Sequence, residues 1–355
     1  MHELMYGDVK AAADRIAGHV RPVTVTRVDP GAFRTAQPDP LGEHPRQAYE
    51  LYLALEFMQY TGSFKARGAQ NFIQAQREAG ALPEAGVTIA SGGNAGLACA
   101  WAAQQQGVRA TVFLPATAPR VKVDKLRGYG ADVRLVGDEY AEALAACEDF
   151  AATTGALPSH AYDHPLIAAG AGTLMDEIHQ QIPDLDTIVV AVGGGGLFAG
   201  IATAAQAHGI RTVAVEPENC RALNAALEAG RPVDVTVDSI AADSLGARRA
   251  GAMALHAAQQ DGVTSVLVPD AEISRARQLL WDHHRLAVEH GAATALAALL
   301  TPPAHAPERE LPRNRSAALQ GYVPGNGEKV AVVVCGANTD PSDLVARTSQ
   351  APGRE

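Results

Sequence analysis

The sequence predicts an α/β protein in which helices cover parallel sheets, and three observations carry that prediction. Short apolar strands alternate with helical stretches along most of the chain, which implies right-handed βαβ units. The strands Thr187-Ile188-Val189-Val190-Ala191-Val192 and Val330-Ala331-Val332-Val333-Val334 are so uniformly apolar that both faces must be covered. Glycine-rich turns join several strands to the helices that follow, and open parallel sheets gather their ligands at such turns.

Taken in order, residues 8–18 space their apolar side chains as an amphipathic helix, and Val23-Thr24-Val25-Thr26-Arg27-Val28 alternates as a strand. Pro30 to Pro45 is punctuated by Gly and Pro and reads as a loop. A strand over 51–57 then leads through Thr61-Gly62 to a helix starting near Ser63. Val87-Thr88-Ile89-Ala90 leads through Ser91-Gly92-Gly93-Asn94 to a helix over 95–106. The strand 110–114 precedes a helix over 119–129, and 132–136 precedes one over 139–154. After Pro158 come a helix over 165–181, the buried strand 187–192, Gly193-Gly194-Gly195-Gly196 and a helix over 197–208. A strand over 212–215, helices over 220–229 and 246–260, a strand over 265–268, helices over 271–286 and 289–300, and the last strand 330–334 complete the pattern. Residues 302–328 are rich in Pro, Arg, Glu and Asn and read as an exposed insertion with no assignable chemistry.

The 355 residues suffice for two domains or one large α/β domain. With 47% hydrophobic and 19% charged residues the chain suits packed helices over a buried sheet. A net charge of -10 disfavours non-specific nucleic-acid binding and points to a small-molecule partner. Cys99, Cys147, Cys220 and Cys335 lie far apart, without a C-x-x-C pair or zinc spacing, and read as reduced intracellular thiols. The first residues lack a signal-peptide pattern and no apolar run reaches membrane-spanning length, so cytoplasm is expected and a membrane partner is not. His283-His284 and the pair His160 and His164 read as surface or packing residues, since nothing at ligand spacing completes a metal site.

The chemistry centres on Thr61-Gly62-Ser63-Phe64-Lys65-Ala66-Arg67-Gly68. A lysine held beside an apolar surface has its pKa lowered, and only the neutral amine forms a Schiff base. The ordinary alternative is a solvated lysine in the first turn of a helix. Gly193–Gly196, at the start of a helix after a buried strand, can converge backbone N–H groups on an anion, as a phosphate cradle. Tight strand-to-helix packing would also call for such glycines. Gly194-x-Gly196-x-x-Ala199, with Glu216 ending the next strand, satisfies a relaxed dinucleotide fingerprint, but that reading leaves Lys65 and the Ser91–Asn94 turn without a role.

Thr61–Ala69, Ser91-Gly92-Gly93-Asn94-Ala95-Gly96, Gly193-Gly194-Gly195-Gly196-Leu197 and Val334-Cys335-Gly336-Ala337-Asn338 stand in the order and spacing of one family. The chain resembles the fold-type II pyridoxal-phosphate enzymes, and within them the serine/threonine dehydratases, from about residue 48 to residue 343 apart from the insertion. The resemblance implies two open parallel-sheet domains of the tryptophan synthase β type, with the cofactor in the cleft between them. The larger would comprise residues 1–67 and 161–355 and the smaller 68–160, in a cytoplasmic homodimer.

It also implies roles. Lys65 would hold pyridoxal 5'-phosphate and act as the base at Cα, and Phe64 would pack on the ring. Gly193, Gly194, Gly195, Gly196 and Leu197 would bind the phosphate through backbone N–H groups. Asn94 would bond the ring oxygen. Ser91, the second candidate catalytic residue, would take the substrate carboxylate together with Gly92, Gly93, Asn94 and Ala95. Cys335 would face the pyridine nitrogen as a neutral group, leaving the ring largely unprotonated and favouring loss of a β-substituent. The ordinary alternative for Cys335 is a small cysteine filling a sheet core, and its position after the last buried strand favours the cofactor role.

The implied reaction is removal of water from L-serine or L-threonine to give a 2-oxo acid and ammonia. Serine racemases of this family carry a serine where this chain has Gly92, which leaves two-base racemisation without its second acid. Related dehydratases hold a monovalent cation on a glutamate matched by Glu216, with carbonyls of Cys220, Leu245 and Ala247 completing a K+ site; where racemases with a divalent site have an acid, this chain has Ala222. A helix cap or an arginine partner is an equal reading of Glu216. Ala95 matches the serine dehydratases of mammalian type, Asn338-Thr339-Asp340 resembles the threonine enzymes, and Glu289-His290-Gly291-Ala292-Ala293 departs from the usual turn, so the substrate side chain stays open. Hydroxyaspartate dehydration, amino-acid racemisation, another elimination or replacement, and a catalytically inactive binding protein of this fold remain alternatives. No amino-acid-sensing domain is expected after the last strand.

Overall fold

Apolar strands joined by helices leave two ways to arrange the chain, one sheet or two, and the computed structural model has two. It describes residues 3–29, 49–300 and 319–348. Among these the strands are β1 (Val25–Arg27), β2 (Glu50–Ala54), β3 (Val87–Ala90), β4 (Ala110–Leu114), β5 (Asp132–Leu135), β6 (Leu157–Pro158), β7 (Thr187–Ala191), β8 (Arg211–Pro217), β9 (Val263–Val268), β10 (Leu319–Gln320) and β11 (Lys329–Val333). A seven-stranded sheet runs β1-β2-β11-β7-β8-β9-β10 and a four-stranded sheet runs β5-β4-β3-β6. Every pairing is parallel except β1 with β2.

Each residue of β7 is buried, as its apolar run requires, because helices pack on both faces of the large sheet. Helix His290–Leu300 lies against β7, β8, β9 and β11, whereas helices Pro165–Gln181 and Gly196–Ala207 form a layer of their own. Those two helices touch at Gly172 and Gly200, where a Cβ on Gly172 would sit 2.7 Å from the Gly200 carbonyl oxygen. Backbones this close admit no side chain.

Parallel strands bring the carboxyl ends of each sheet to one edge. In the large sheet that edge carries the exits of β2, β7 and β11, which lead to Lys65, Gly193 and Cys335; in the small sheet β3 leads to Ser91. Two expected elements are corrected. The strand over 51–57 stops at Ala54, and the apolar residues beyond it form one-turn helices at Glu56–Met58 and Tyr60–Gly62, with Thr61 at φ 62°. The helix over 246–260 shrinks to Ala252–Ala258, preceded by a separate turn at Ala242–Leu245. Gly251 accounts for the late start: its backbone is extended (φ -67°, ψ 155°) and its N–H donates to the Gly194 carbonyl at 3.0 Å, so the helix begins after it. The loop placed at 30–45 lies outside the described residues, as do residues 302–318 of the insertion, whose remainder includes β10 pairing with β9.

Candidate active site

Lys65 opens helix Lys65–Glu78, and a buried ionic cluster one turn further on sets its position. Arg67 is fully buried; its Nε donates to Glu56 Oε1 at 2.7 Å and its Nη1 to Glu177 Oε1 at 2.6 Å. Opposite charges with several hydrogen bonds hold the guanidinium despite its desolvation, and removing one partner of such a pair costs about 3–5 kcal/mol. On the other side Ser63 bridges Gly336, and the Phe64 N–H donates to the Cys335 carbonyl at 3.0 Å. The lysine is therefore fixed from both ends by long-range contacts.

The Lys65 Nζ donates to the Ala161 carbonyl at 2.6 Å and lies 4.9 Å from the centre of the Phe64 ring. The residue keeps some surface open to the cleft, yet burial of its amine pushes the pKa down to about 8, against the opposing pull of Cys335 and Glu289. Phe64, Lys65, Gly68, Ala161, Tyr162, Ile167, Ala171, Gly196 and Leu197 line one cleft. That cleft joins the lysine to the glycine turn, as the sequence predicts.

In the glycine turn, Gly195 has φ 95° and is the N-cap of helix Gly196–Ala207. A Cβ on Gly194 would strike the Tyr162 ring, and one on Gly196 would lie 2.6 Å from the Tyr162 carbonyl oxygen. The turn is thus bare backbone at a helix N-terminus, the donor set that an anion requires.

The small sheet contributes Ser91–Ala95, every residue of it half-buried. Ser91 Oγ accepts from the Gly93 N–H at 3.4 Å, and Asn94 begins helix Asn94–Gln105. Asn94 reaches the large sheet: its Nδ2 donates to Glu289 Oε1 and Oε2, both at 3.0 Å, and its Oδ1 accepts from Asn338 Nδ2 at 2.8 Å. Cys335 is buried and its thiol is pushed up to about 12, first by burial and then by Glu289, so it is neutral.

Glu216 lies apart from these groups. It is buried, and its two oxygens accept the N–H groups of Leu223 and Asn224 at 2.7 and 2.8 Å, so it caps helix Ala222–Ala229. Burial raises its pKa to about 8 in spite of those bonds. Cys220 is close enough for its thiol to feel the Glu216 charge, and the Leu245 backbone packs 3.1 Å from where a Gly193 Cβ would be; the Leu245 carbonyl accepts from the Ala247 N–H. His164 caps helix Pro165–Gln181 and stacks edge-on against Phe72, and His160 Nδ1 accepts the N–H groups of Tyr162 and Asp163.

Sequence reasoning gave no role to Tyr162, Glu289 or Asn338. Tyr162 sits in a loop without periodicity, and an acid just before a helix, as Glu289 is, reads as a helix cap.

A phosphate-bearing aldehyde fits these residues on three counts. The bare cradle at 193–196 leaves no room for side chains, the desolvated amine of Lys65 has its pKa lowered to about 8 and so supplies a neutral nucleophile at mildly alkaline pH, and Ser63 Oγ is buried with no partner among the described residues. Residues 34–319 match the family described as pyridoxal-phosphate dependent enzymes, and the chain belongs to that family. Among characterised relatives, it is 40% identical over 253 residues to an L-threonine ammonia-lyase of Geobacter sulfurreducens, covering 70% of this chain and 62% of that enzyme. It is 35% identical over 292 residues to a serine dehydratase-like protein of Rattus norvegicus, covering 81% of this chain and 85% of the relative. Maize serine racemase superposes with a TM-score of 0.79 at 27% identity, over 98% of both chains. Fold and family thus agree with the resemblance drawn from the four motifs.

Proposed function

We propose that this protein is a pyridoxal-phosphate dependent ammonia-lyase that converts L-threonine or L-serine to a 2-oxo acid and ammonia. The observation that carries the proposal is the Lys65 amine, lowered to about 8 by burial, in one cleft with the Phe64 ring and the start of the helix after the glycine turn. The activities named for the bacterial and mammalian relatives support the same reaction.

Bound pyridoxal phosphate supplies the electron sink for the pair left when Cα loses its proton. Lys65 would carry that cofactor and remove the Cα proton, a task suited to an amine that is about half neutral at pH 8. Backbone N–H groups of Gly193–Leu197 would hold the phosphate, Phe64 would cover one ring face, and Asn94 would donate to the ring oxygen. The Cys335 thiol, neutral because burial raises its pKa to about 12, would offer the ring nitrogen no charge to hold a proton there. Ser91 and the amides of Gly92, Gly93, Asn94 and Ala95 hold the substrate carboxylate. Loss of the Cα proton and of hydroxide from Cβ removes one water; the released enamine becomes an imine, and water then splits it to the 2-oxo acid and ammonia.

Elimination rather than racemisation follows from Gly92, which has no side chain to protonate the opposite face of Cα. The proposal includes a smaller body of residues 68–160, a cytoplasmic homodimer, and K+ on Glu216 with the carbonyls of Cys220, Leu245 and Ala247. No helix among the described residues is long and apolar enough to cross a membrane.

The test is 2-oxo acid release from a panel of L-serine, L-threonine, threo-3-hydroxyaspartate and other β-substituted amino acids. Turnover of serine or threonine above all others is expected. Turnover confined to hydroxyaspartate would move the substrate assignment, and a colourless protein that releases no ammonia would leave only a binding role.

A further inference from the structure

Glu289 is 5% exposed, immediately before helix His290–Leu300, and its carboxylate is among the most heavily engaged in the molecule. It accepts from Asn94 Nδ2 with both oxygens at 3.0 Å, and from the Asn338 N–H at 2.8 Å. Its own N–H donates to the Gly336 carbonyl at 3.0 Å. Room for the carboxylate exists because residue 336 is glycine: a Cβ there would lie 2.8 Å from Oε2.

An asparagine amide can face either way, and its neighbours choose. Here both choices are fixed. A carboxylate only accepts, so the side of Asn94 facing Glu289 must be the NH2 group. The opposite side must be the oxygen, because Asn338 Nδ2 donates to it at 2.8 Å, and the Asn338 amide is fixed in turn by donating to the Thr61 carbonyl at 2.6 Å. The two oxygens of one carboxylate subtend too narrow an angle to take both N–H bonds of an amide, which diverge by about 120°. One N–H of Asn94 is therefore left for a further acceptor, its direction set by Glu289. Asn94 begins a helix of the small-sheet side, whereas Glu289, Asn338 and Thr61 stand on elements of the large-sheet side, so the chain of bonds also ties the two together.

We infer that Glu289 is a positioning residue: it orients the Asn94 amide so that one N–H points at the cofactor's ring oxygen, and it acts on the cofactor through Asn94. This rests on the proposed function, which places that oxygen before Asn94. Replacement by Gln puts an amide donor against the N–H of Asn94 or of Asn338, and the orientation is no longer enforced.

The experiment titrates the full-length protein with pyridoxal phosphate and with 3-deoxypyridoxal phosphate, which lacks the ring oxygen, following the visible absorbance band and the melting temperature. Glu289→Gln and Asn94→Ala are each expected to weaken pyridoxal phosphate binding by about tenfold. The double variant should be no weaker than Asn94→Ala alone, the signature of two residues acting through one contact. Toward the deoxy analogue Glu289→Gln should bind as the parent does. Unchanged binding by Glu289→Gln, multiplied losses in the double variant, or an equal loss for both ligands would each overturn the inference. If Glu289→Gln does not fold, Glu289→Asp, which withdraws the carboxylate by one methylene, is expected to show the same ligand dependence with a loss of a few fold. A parent protein with no saturable visible band would refute the proposed function instead, so the two failures are distinct.

Discussion

The two glycine-rich turns at the strand exits are built to different tolerances. In Ser91–Ala95 every residue is half-buried, a Cβ on Gly93 would meet nothing within 4 Å, and one on Gly92 would press only on the end of the Leu114 side chain. In Gly193–Gly196, added carbons would meet the Leu245 backbone, the Tyr162 ring, Ala254 and the Tyr162 carbonyl in turn. A turn with space around it can follow a substrate as it enters and leaves. A turn wedged between a sheet, a helix and an aromatic ring cannot, and that rigidity suits a group held permanently by backbone N–H bonds. The difference fits the proposed roles, lasting binding at the large-sheet turn and exchange at the small-sheet turn.

Lys65→Ala bears on both turns at once and should have the largest effect. It is expected to remove the visible band and lower turnover by at least about 10³-fold, measured by absorbance and 2-oxo acid release. Full activity in that variant would end the proposal.

Substitutions in the two turns should then separate. Gly196→Ala, facing a carbonyl 2.6 Å from its new carbon, is expected to weaken cofactor affinity by more than about tenfold and to lower stability by about 1–3 kcal/mol. Gly93→Ala should leave cofactor affinity within about twofold and act on KM, since its carbon enters open space. Equal effects would erase the contrast. Gly92→Ser needs only the end of Leu114 to yield; solvent deuterium entering at Cα with inversion, absent in the parent, should become detectable by mass and chirality.

A pH experiment sharpens the large-sheet side. Lys65 becomes neutral as pH rises through about 8, so the rate at which cofactor-free protein takes up pyridoxal phosphate should climb through that value and level off above it. A rise delayed to about pH 10, the range of an ordinary lysine, would show that burial does not act on the amine.

At Glu216 the expected effect is on stability rather than on turnover. Its folded pKa, about 8, exceeds that of an ordinary carboxyl, so the folded state binds more protons between the two values and stability falls as pH rises through that window. Melting temperatures in choline buffer should therefore decline from about pH 5 to pH 8, and Glu216→Gln should flatten the decline. If K+ sits on this carboxylate, replacing choline by potassium should restore stability at the alkaline end. No difference between the two cations would leave Glu216 as a helix cap alone.

Much of the site could be read in the sequence because its parts are local. A lysine between Phe64 and Gly68 and a four-glycine turn after an apolar strand each announce themselves within a few residues. The misreadings arose where local pattern and long-range contact diverge. Leu55, Phe57 and Met58 extend the apolar run of β2, but the chain turns there to bring Ser63 to Gly336 and Phe64 to Cys335. The stretch 246–260 is helical in composition, yet its start is set where Gly251, extended, bonds to the Gly194 carbonyl 57 residues away.

By itself the sequence determined the α/β class, the alternation of strands and helices, the candidate lysine, the glycine turn after the buried strand and the family. These follow from periodicity and from residue types whose chemistry is local. Only the tertiary structure decided that Arg67 anchors the lysine helix, that Tyr162 closes over the glycine turn, that Glu216 caps a helix, and that Glu289 and Asn338 hold the Asn94 amide. Asn94 is 195 residues from Glu289 and 244 from Asn338, and no pattern along the chain encodes a hydrogen bond between groups that meet only when two sheets are brought side by side.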